Sequence, residues 1–107
     1  MTMSNKLRPY VPTHPGDVLK DELQARGISQ KRFAEIISVS YTMLNEIINC
    51  KRPVSAEMAL VLEAALGINA SLWNNMQSRY NLEMARRNKN NTGKLETIRK
   101  RCASAPL

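Results

Sequence analysis

The stretch ISQKRFAEIISVSYTMLNEIIN, Ile28–Asn49, decides the fold. Ser29 offers an oxygen that accepts a free backbone N–H of a first helical turn, so a helix is predicted to begin beside it. Phe33, Ile36 and Ile37 then fall at i, i+3 and i+4, the spacing of one buried helical face. After the short link Ser38-Val39, Ser40 caps again, and Leu44, Ile47 and Ile48 repeat that spacing. The opposite face of this second helix holds Tyr41, Thr42, Asn45, Glu46 and Asn49, nearly all hydrogen-bonding side chains. Two short capped helices joined by a tight turn, the second with a polar outer face, read as a helix-turn-helix unit. In that unit the second helix enters the major groove of DNA.

Working outward, His14-Pro15-Gly16-Asp17 opens a first helix, because proline is tolerated where its missing N–H has no partner. Val18, Leu19 and Leu23 give that helix an apolar stripe and Gly27 ends it. Beyond the break Lys51-Arg52-Pro53, Ser55 caps a fourth helix with Met58, Ala59, Leu62, Ala65 and Leu66 inside, closed by Gly67. Asn69 caps a fifth, carrying Leu72, Trp73, Met76 and Tyr80. No segment alternates as a strand. The polar run Asn88–Gly93 reads as a linker, and Lys94–Cys102 is too short an amphipathic segment to hold a helix alone in water. The expectation is therefore an all-α chain: a loose arm over 1–13, a five-helix domain over 14–87, and a flexible basic tail over 88–107.

A chain of 107 residues, 43% hydrophobic and 23% charged, has the composition of one small globular domain. Its net charge of +7 is unevenly placed. Residues 1–85 carry nine basic and eight acidic side chains, whereas residues 86–107 carry seven basic ones against Glu96. Such a tail attracts polyanions, nucleic acid foremost; a clamp on an acidic protein face and plain solvation are its other uses. No apolar run approaches the roughly 18–20 residues that span a bilayer, and the N-terminal stretch lacks an apolar signal core. Cys50 and Cys102 lie far apart without metal-ligand spacing, which argues against a disulfide framework or zinc site and for a reducing, cytoplasmic setting. His14 is the single histidine and belongs at the mouth of the first helix. With no nucleophile–base pair and no ligand cluster, we expect no enzyme, no cofactor, no metal, no membrane contact and no small-molecule substrate.

Residue chemistry assigns the binding roles. Tyr41, Thr42 and Asn45 lie toward the start of the outer face, where reading helices touch base edges, and asparagine suits adenine N6 and N7. Gln30, Lys31, Asn49, Lys51 and Arg52 border that face, where phosphate contacts fix register. Cys50, beside Lys51 and Arg52, is read as an inert cysteine, with a lowered thiol pKa as the alternative that the two cations offer.

From His14 to Leu82 the chain resembles the HigA family of antitoxins, within the Xre or Cro/C1-type helix-turn-helix group. The likeness rests on His14-Pro15-Gly16-Asp17-Val18-Leu19, Ser29-Gln30-Lys31, Phe33-Ala34-Glu35, Val39-Ser40, Ile47-Ile48-Asn49 and Lys51-Arg52-Pro53-Val54-Ser55. It continues through Glu57-Met58-Ala59-Leu60, Ala65-Leu66-Gly67, Leu72-Trp73, Met76-Gln77 and Tyr80-Asn81-Leu82. The resemblance implies a Cro/C1 repressor-like fold and a homodimer bound to double-stranded operator DNA. It also implies neutralisation of a cognate HigB/RelE-like mRNA-cleaving toxin and repression of the shared operon. A stand-alone or phage-type repressor without a toxin is the alternative. The resemblance places dimerisation at Trp73, Met76 and Tyr80, side chains that equally suit packing onto the preceding helices. Ser38 and Cys50 stand where the family has glycines, so non-glycine residues are expected at positive φ. Tyr41 is an aromatic where the family position is polar and extended.

Overall fold

A computed structural model describes residues 12–105, so the N-terminal arm lies almost wholly outside the described residues. Five helices follow the expected caps: α1 (Pro15–Arg26), α2 (Gln30–Ile37), α3 (Tyr41–Ile48), α4 (Ala56–Leu66) and α5 (Ala70–Arg87). There is no strand among the described residues. Each serine cap is in place: Ser29 Oγ accepts the Arg32 N–H at 3.1 Å, Ser40 Oγ that of Met43 at 3.0 Å, and Ser55 Oγ that of Met58 at 3.1 Å. Such a cap is worth about 1 kcal/mol, which matters in helices as short as α2 and α3.

α1 and α2 pack on α3, and α4 packs on α5. The shared core is Leu19, Leu23, Phe33, Leu44, Ile47, Leu62 and Trp73, all buried. Trp73 has no exposed surface, and its indole N–H meets no acceptor among the described residues. The tryptophan therefore contributes by packing. α1 meets α3 unusually closely, because a Cβ on Gly16 would overlap the Ile47 carbonyl oxygen. The two turns flanking α3 place Ser38 at φ 58° and Cys50 at φ 63°, as the departures from the glycine pattern predict. Left-handed backbone at an L-residue costs about 1–2 kcal/mol, offset here by the turn bonds that it allows, Val39 N–H to the Ala34 carbonyl at 3.0 Å and Lys51 N–H to the Glu46 carbonyl at 2.8 Å.

The expected five helices and flexible tail need correction, since α6 runs over Lys89–Ser104. The polar residues read as a linker are what start it. Asn88 Oδ1 accepts the Asn90 N–H at 2.9 Å, Asn91 Nδ2 donates to the Ala85 carbonyl at 3.0 Å, and Thr92 Oγ1 donates to the Arg86 carbonyl at 3.2 Å. These bonds satisfy the open carbonyls at the end of α5 and tie α6 to it. The hairpin leaves the body: the radius of gyration is 18.2 Å, against about 13 Å for a compact chain of this length.

Candidate nucleic-acid interface

Leu44, Ile47 and Ile48 bury the inner face of α3, which leaves Tyr41, Thr42 and Asn49 exposed and Asn45 half-buried on the outer one. Asn45 is held from the side. Its Nδ2 donates to Gln30 Oε1 at 3.1 Å, linking the first residue of α2 to the middle of α3. That bond leaves Asn45 Oδ1 and one N–H for another partner, and it leaves the Gln30 amide nitrogen free to donate. The expected base reader and its expected phosphate neighbour thus form one unit. Asn49 is more committed, with Nδ2 donating to the Asn45 carbonyl at 2.9 Å at the end of α3.

The cations divide into free and engaged. Lys31 and Lys51 are exposed and have no ion-pair partner among the described residues. Arg52 folds back on Glu46, with Nε and Nη2 both 2.9 Å from Oε1, so its charge is partly spent inside the protein. Lys20, not singled out in the sequence, comes from α1 close enough for its charge to act on Cys50. Its signal was the exposed α1 positions Asp17, Lys20 and Gln24 at helical spacing.

Two polar residues of the apolar faces hold this edge from behind. His14 caps α1, its Nδ1 accepting the Gly16 N–H at 2.8 Å, and its ring meets Tyr80 edge-on with centroids 4.8 Å apart. Burial lowers the imidazole pKa, and the carboxylate of Asp17 works against that shift. Gln77, buried on α5, accepts the Val54 N–H at Oε1 and donates from Nε2 to Asn81 Oδ1, both at 2.8 Å. It clamps the segment carrying Lys51 and Arg52 onto α5. Sequence reading quoted Gln77 within the family likeness but gave it no role, although a polar side chain between Trp73 and Tyr80 on one face was its signal.

The dimerisation triplet divides. Trp73 is consumed inside the protomer and has no surface for a second chain, because α5 needs it to close the core over α4. Met76 and Tyr80 remain half-exposed. Of the two readings of Cys50, the lowered thiol pKa is overturned. Burial raises it, and Asp17, whose Oδ1 is 3.5 Å from Sγ, adds to the rise against the opposing Lys20. Among the described residues no cluster of three or more His, Cys, Asp and Glu could hold a metal ion. No described helix is long and apolar enough to cross a membrane.

A short helix presented polar side outward, capped, and steadied by a second helix across a tight turn defines the helix-turn-helix class. The sequence matches the helix-turn-helix family over residues 19–73, and the chain belongs to that family, in its Xre/Cro–C1 type. It is 39% identical over 77 residues to virulence-associated protein I of Dichelobacter nodosus, covering 71% of each chain. Among solved structures it is similar to the Pseudomonas aeruginosa antitoxin HigA, determined with the higBA promoter, at 36% identity and TM-score 0.73, over 80% of this chain and 92% of that one. An addiction module antidote protein of the HigA family from Coxiella burnetii is 27% identical with TM-score 0.74, over 92% of this chain and all (100%) of that one. The fold is thus antitoxin-like.

Proposed function

We propose that this chain is a HigA-type antitoxin that, as a homodimer, binds operator DNA to repress its own operon and neutralises a co-encoded HigB/RelE-like mRNA-cleaving toxin. The observation that carries the DNA-binding part is the Gln30–Asn45 hydrogen bond on the outer face of α3, set between the free cations Lys31 and Lys51. A reading helix needs that combination: an amide fixed in orientation for a base edge, and charges beside it for phosphates. Tyr41 and Thr42 add base contacts, while Gln30, Lys31, Asn49, Lys51 and Arg52 add backbone contacts, with Arg52 released from Glu46 when a phosphate is offered. Dimerisation supplies two such helices for half-sites about 34 Å apart, and Met76 and Tyr80 are the part of the α5 triplet still open to a second chain. The HigA relatives, one of them determined with a promoter, support the antitoxin reading.

The test is co-expression of this chain with the neighbouring small reading frame, with only this chain tagged, alongside a gel shift on its own upstream DNA. The expected result is co-purification at fixed stoichiometry, relief of the neighbour's growth arrest, and a shift on the upstream region. A shift with a harmless, non-copurifying neighbour would establish the stand-alone repressor instead. No shift would remove the DNA role.

A further inference from the structure

The α5–α6 hairpin stands away from the body, and its inner side is apolar. Leu82 and Ala85 of α5 face Leu95 and Ile98 of α6 across a cleft of about 450 Å³, with Arg86 and Lys94 at its rim. Leu82, Leu95 and Ile98 are 55%, 41% and 48% exposed, so the hairpin does not satisfy its own apolar surface. An isolated helix of this length, with Gly93 and two asparagines in its first turns, is marginal in water without a packing partner.

The spacing on α6 states what kind of partner fits. Asn91, Leu95, Ile98 and Cys102 follow one another at four, three and four residues, the a/d pattern of a coiled-coil seam. The positions flanking that seam are then Thr92, Lys94, Arg99 and Arg101, and three of the four are cationic. Glu96, the single acid of α6, sits off the seam, 3.3 Å from Arg99. Lys94 and Arg101 have no ion-pair partner among the described residues. Flanking charges choose the partner of such a seam. A second copy of this hairpin would bring cation against cation, and a polyanion such as DNA would leave the leucine and isoleucine floor uncovered.

We infer that the α5–α6 cleft docks an acidic amphipathic helix of a different protein, its apolar stripe on Leu82, Leu95 and Ile98 and its carboxylates on Lys94, Arg99 and Arg101. This surface is separate from the outer face of α3, and the inference stands whether or not that face reads DNA.

The full chain is titrated by fluorescence anisotropy with a labelled three-heptad peptide carrying leucine at a and d and glutamate at e and g. A counterpart carries lysine at e and g. The glutamate peptide is expected to bind and the lysine peptide not to bind. Ile98→Asp, at an exposed position where circular dichroism checks that the body still folds, weakens binding by about tenfold or more. The double variant Lys94→Glu/Arg101→Glu transfers the preference to the lysine peptide. Failure of both peptides to bind would overturn the inference. So would undiminished binding by Ile98→Asp, which would reduce the effect to charge alone. A dimer in sedimentation that Ile98→Asp dissolves would make a second copy the occupant. Random duplex DNA that binds the chain, displaces the peptide and is lost in the double variant would make the hairpin a nucleic-acid surface.

Discussion

Two glycines lie inside helices, and the structure predicts opposite signs for replacing them with alanine. In an unobstructed helical position the change stabilises by about 1 kcal/mol, from helix propensity and a less disordered unfolded chain. Gly93 in α6 is such a position, with nothing within 4 Å of a added Cβ. At Gly16 the methyl group would overlap the Ile47 carbonyl oxygen and come within 3.0 Å of His14 Nδ1. That carbonyl belongs to the α3 backbone and accepts the Cys50 N–H at 3.0 Å, so it cannot turn aside alone. Either α1 shifts off α3, disturbing buried Leu19, or the end of α3 moves with its turn. Overpacking of this kind costs about 1–3 kcal/mol, enough to outweigh the propensity gain. Urea unfolding followed by circular dichroism should show Gly16→Ala less stable by up to about 2 kcal/mol at unchanged slope, or up to roughly 16 °C in Tm for a domain of this size. Gly93→Ala should instead raise the helical signal. A Gly16→Ala protein more stable than the parent would refute the close approach of α1 to α3.

Gln77→Leu keeps the side-chain volume but strands the buried Val54 N–H, so urea unfolding should report a loss of about 1–3 kcal/mol; no loss would deny the clamp. His14 has its pKa lowered below the ordinary imidazole value of 6.5, by burial first and against Asp17, so the unfolded chain takes up the proton before the folded one. The stability this provides is whole above about pH 6.5 and declines as the pH falls toward the lower folded-state pKa. Melting at pH 7 and pH 5 should show a larger drop for the parent than for His14→Asn, which keeps a capping oxygen without the titration. At neutral pH, iodoacetamide should label exposed Cys102 well before Cys50, whose thiol is held protonated by burial and Asp17, as peptide mass spectrometry would read.

What was legible in the sequence is what local chemistry decides. Ser29, Ser40, Ser55 and Asn69 announce helix starts because a cap bonds only two or three residues ahead. The apolar triplet of α3 announces its inner face by spacing alone, whereas in α2 the spacing holds for Phe33 but Ile36 is 50% exposed and Ala34 takes the buried place beside Phe33. Ser38 and Cys50 were predictable as left-handed only through the family resemblance, because they stand where that family has glycines. What escaped depends on contacts distant in sequence. Helix α6 is poor in local propensity at its start, and forms where Asn91 and Thr92 reach the last carbonyls of α5. The Glu46–Arg52 pair closes across a turn, and Gln77 meets Val54 from 23 residues away. Trp73 at helical spacing reads alike as seam or core until the packing of α4 on α5 is known. The outer face of α3 was therefore readable as a list of residues, while the Gln30–Asn45 link that orders it was not.

The central claim is that the outer face of α3 reads base sequence. Its most direct test is equilibrium binding of the parent and Asn45→Ala to the chain's own upstream DNA and to a scrambled duplex, at one salt concentration. The parent should prefer the upstream DNA, and Asn45→Ala should lose about 1–3 kcal/mol on it with little change on the scrambled duplex. Equal losses on both duplexes, or no loss on either, would contradict it.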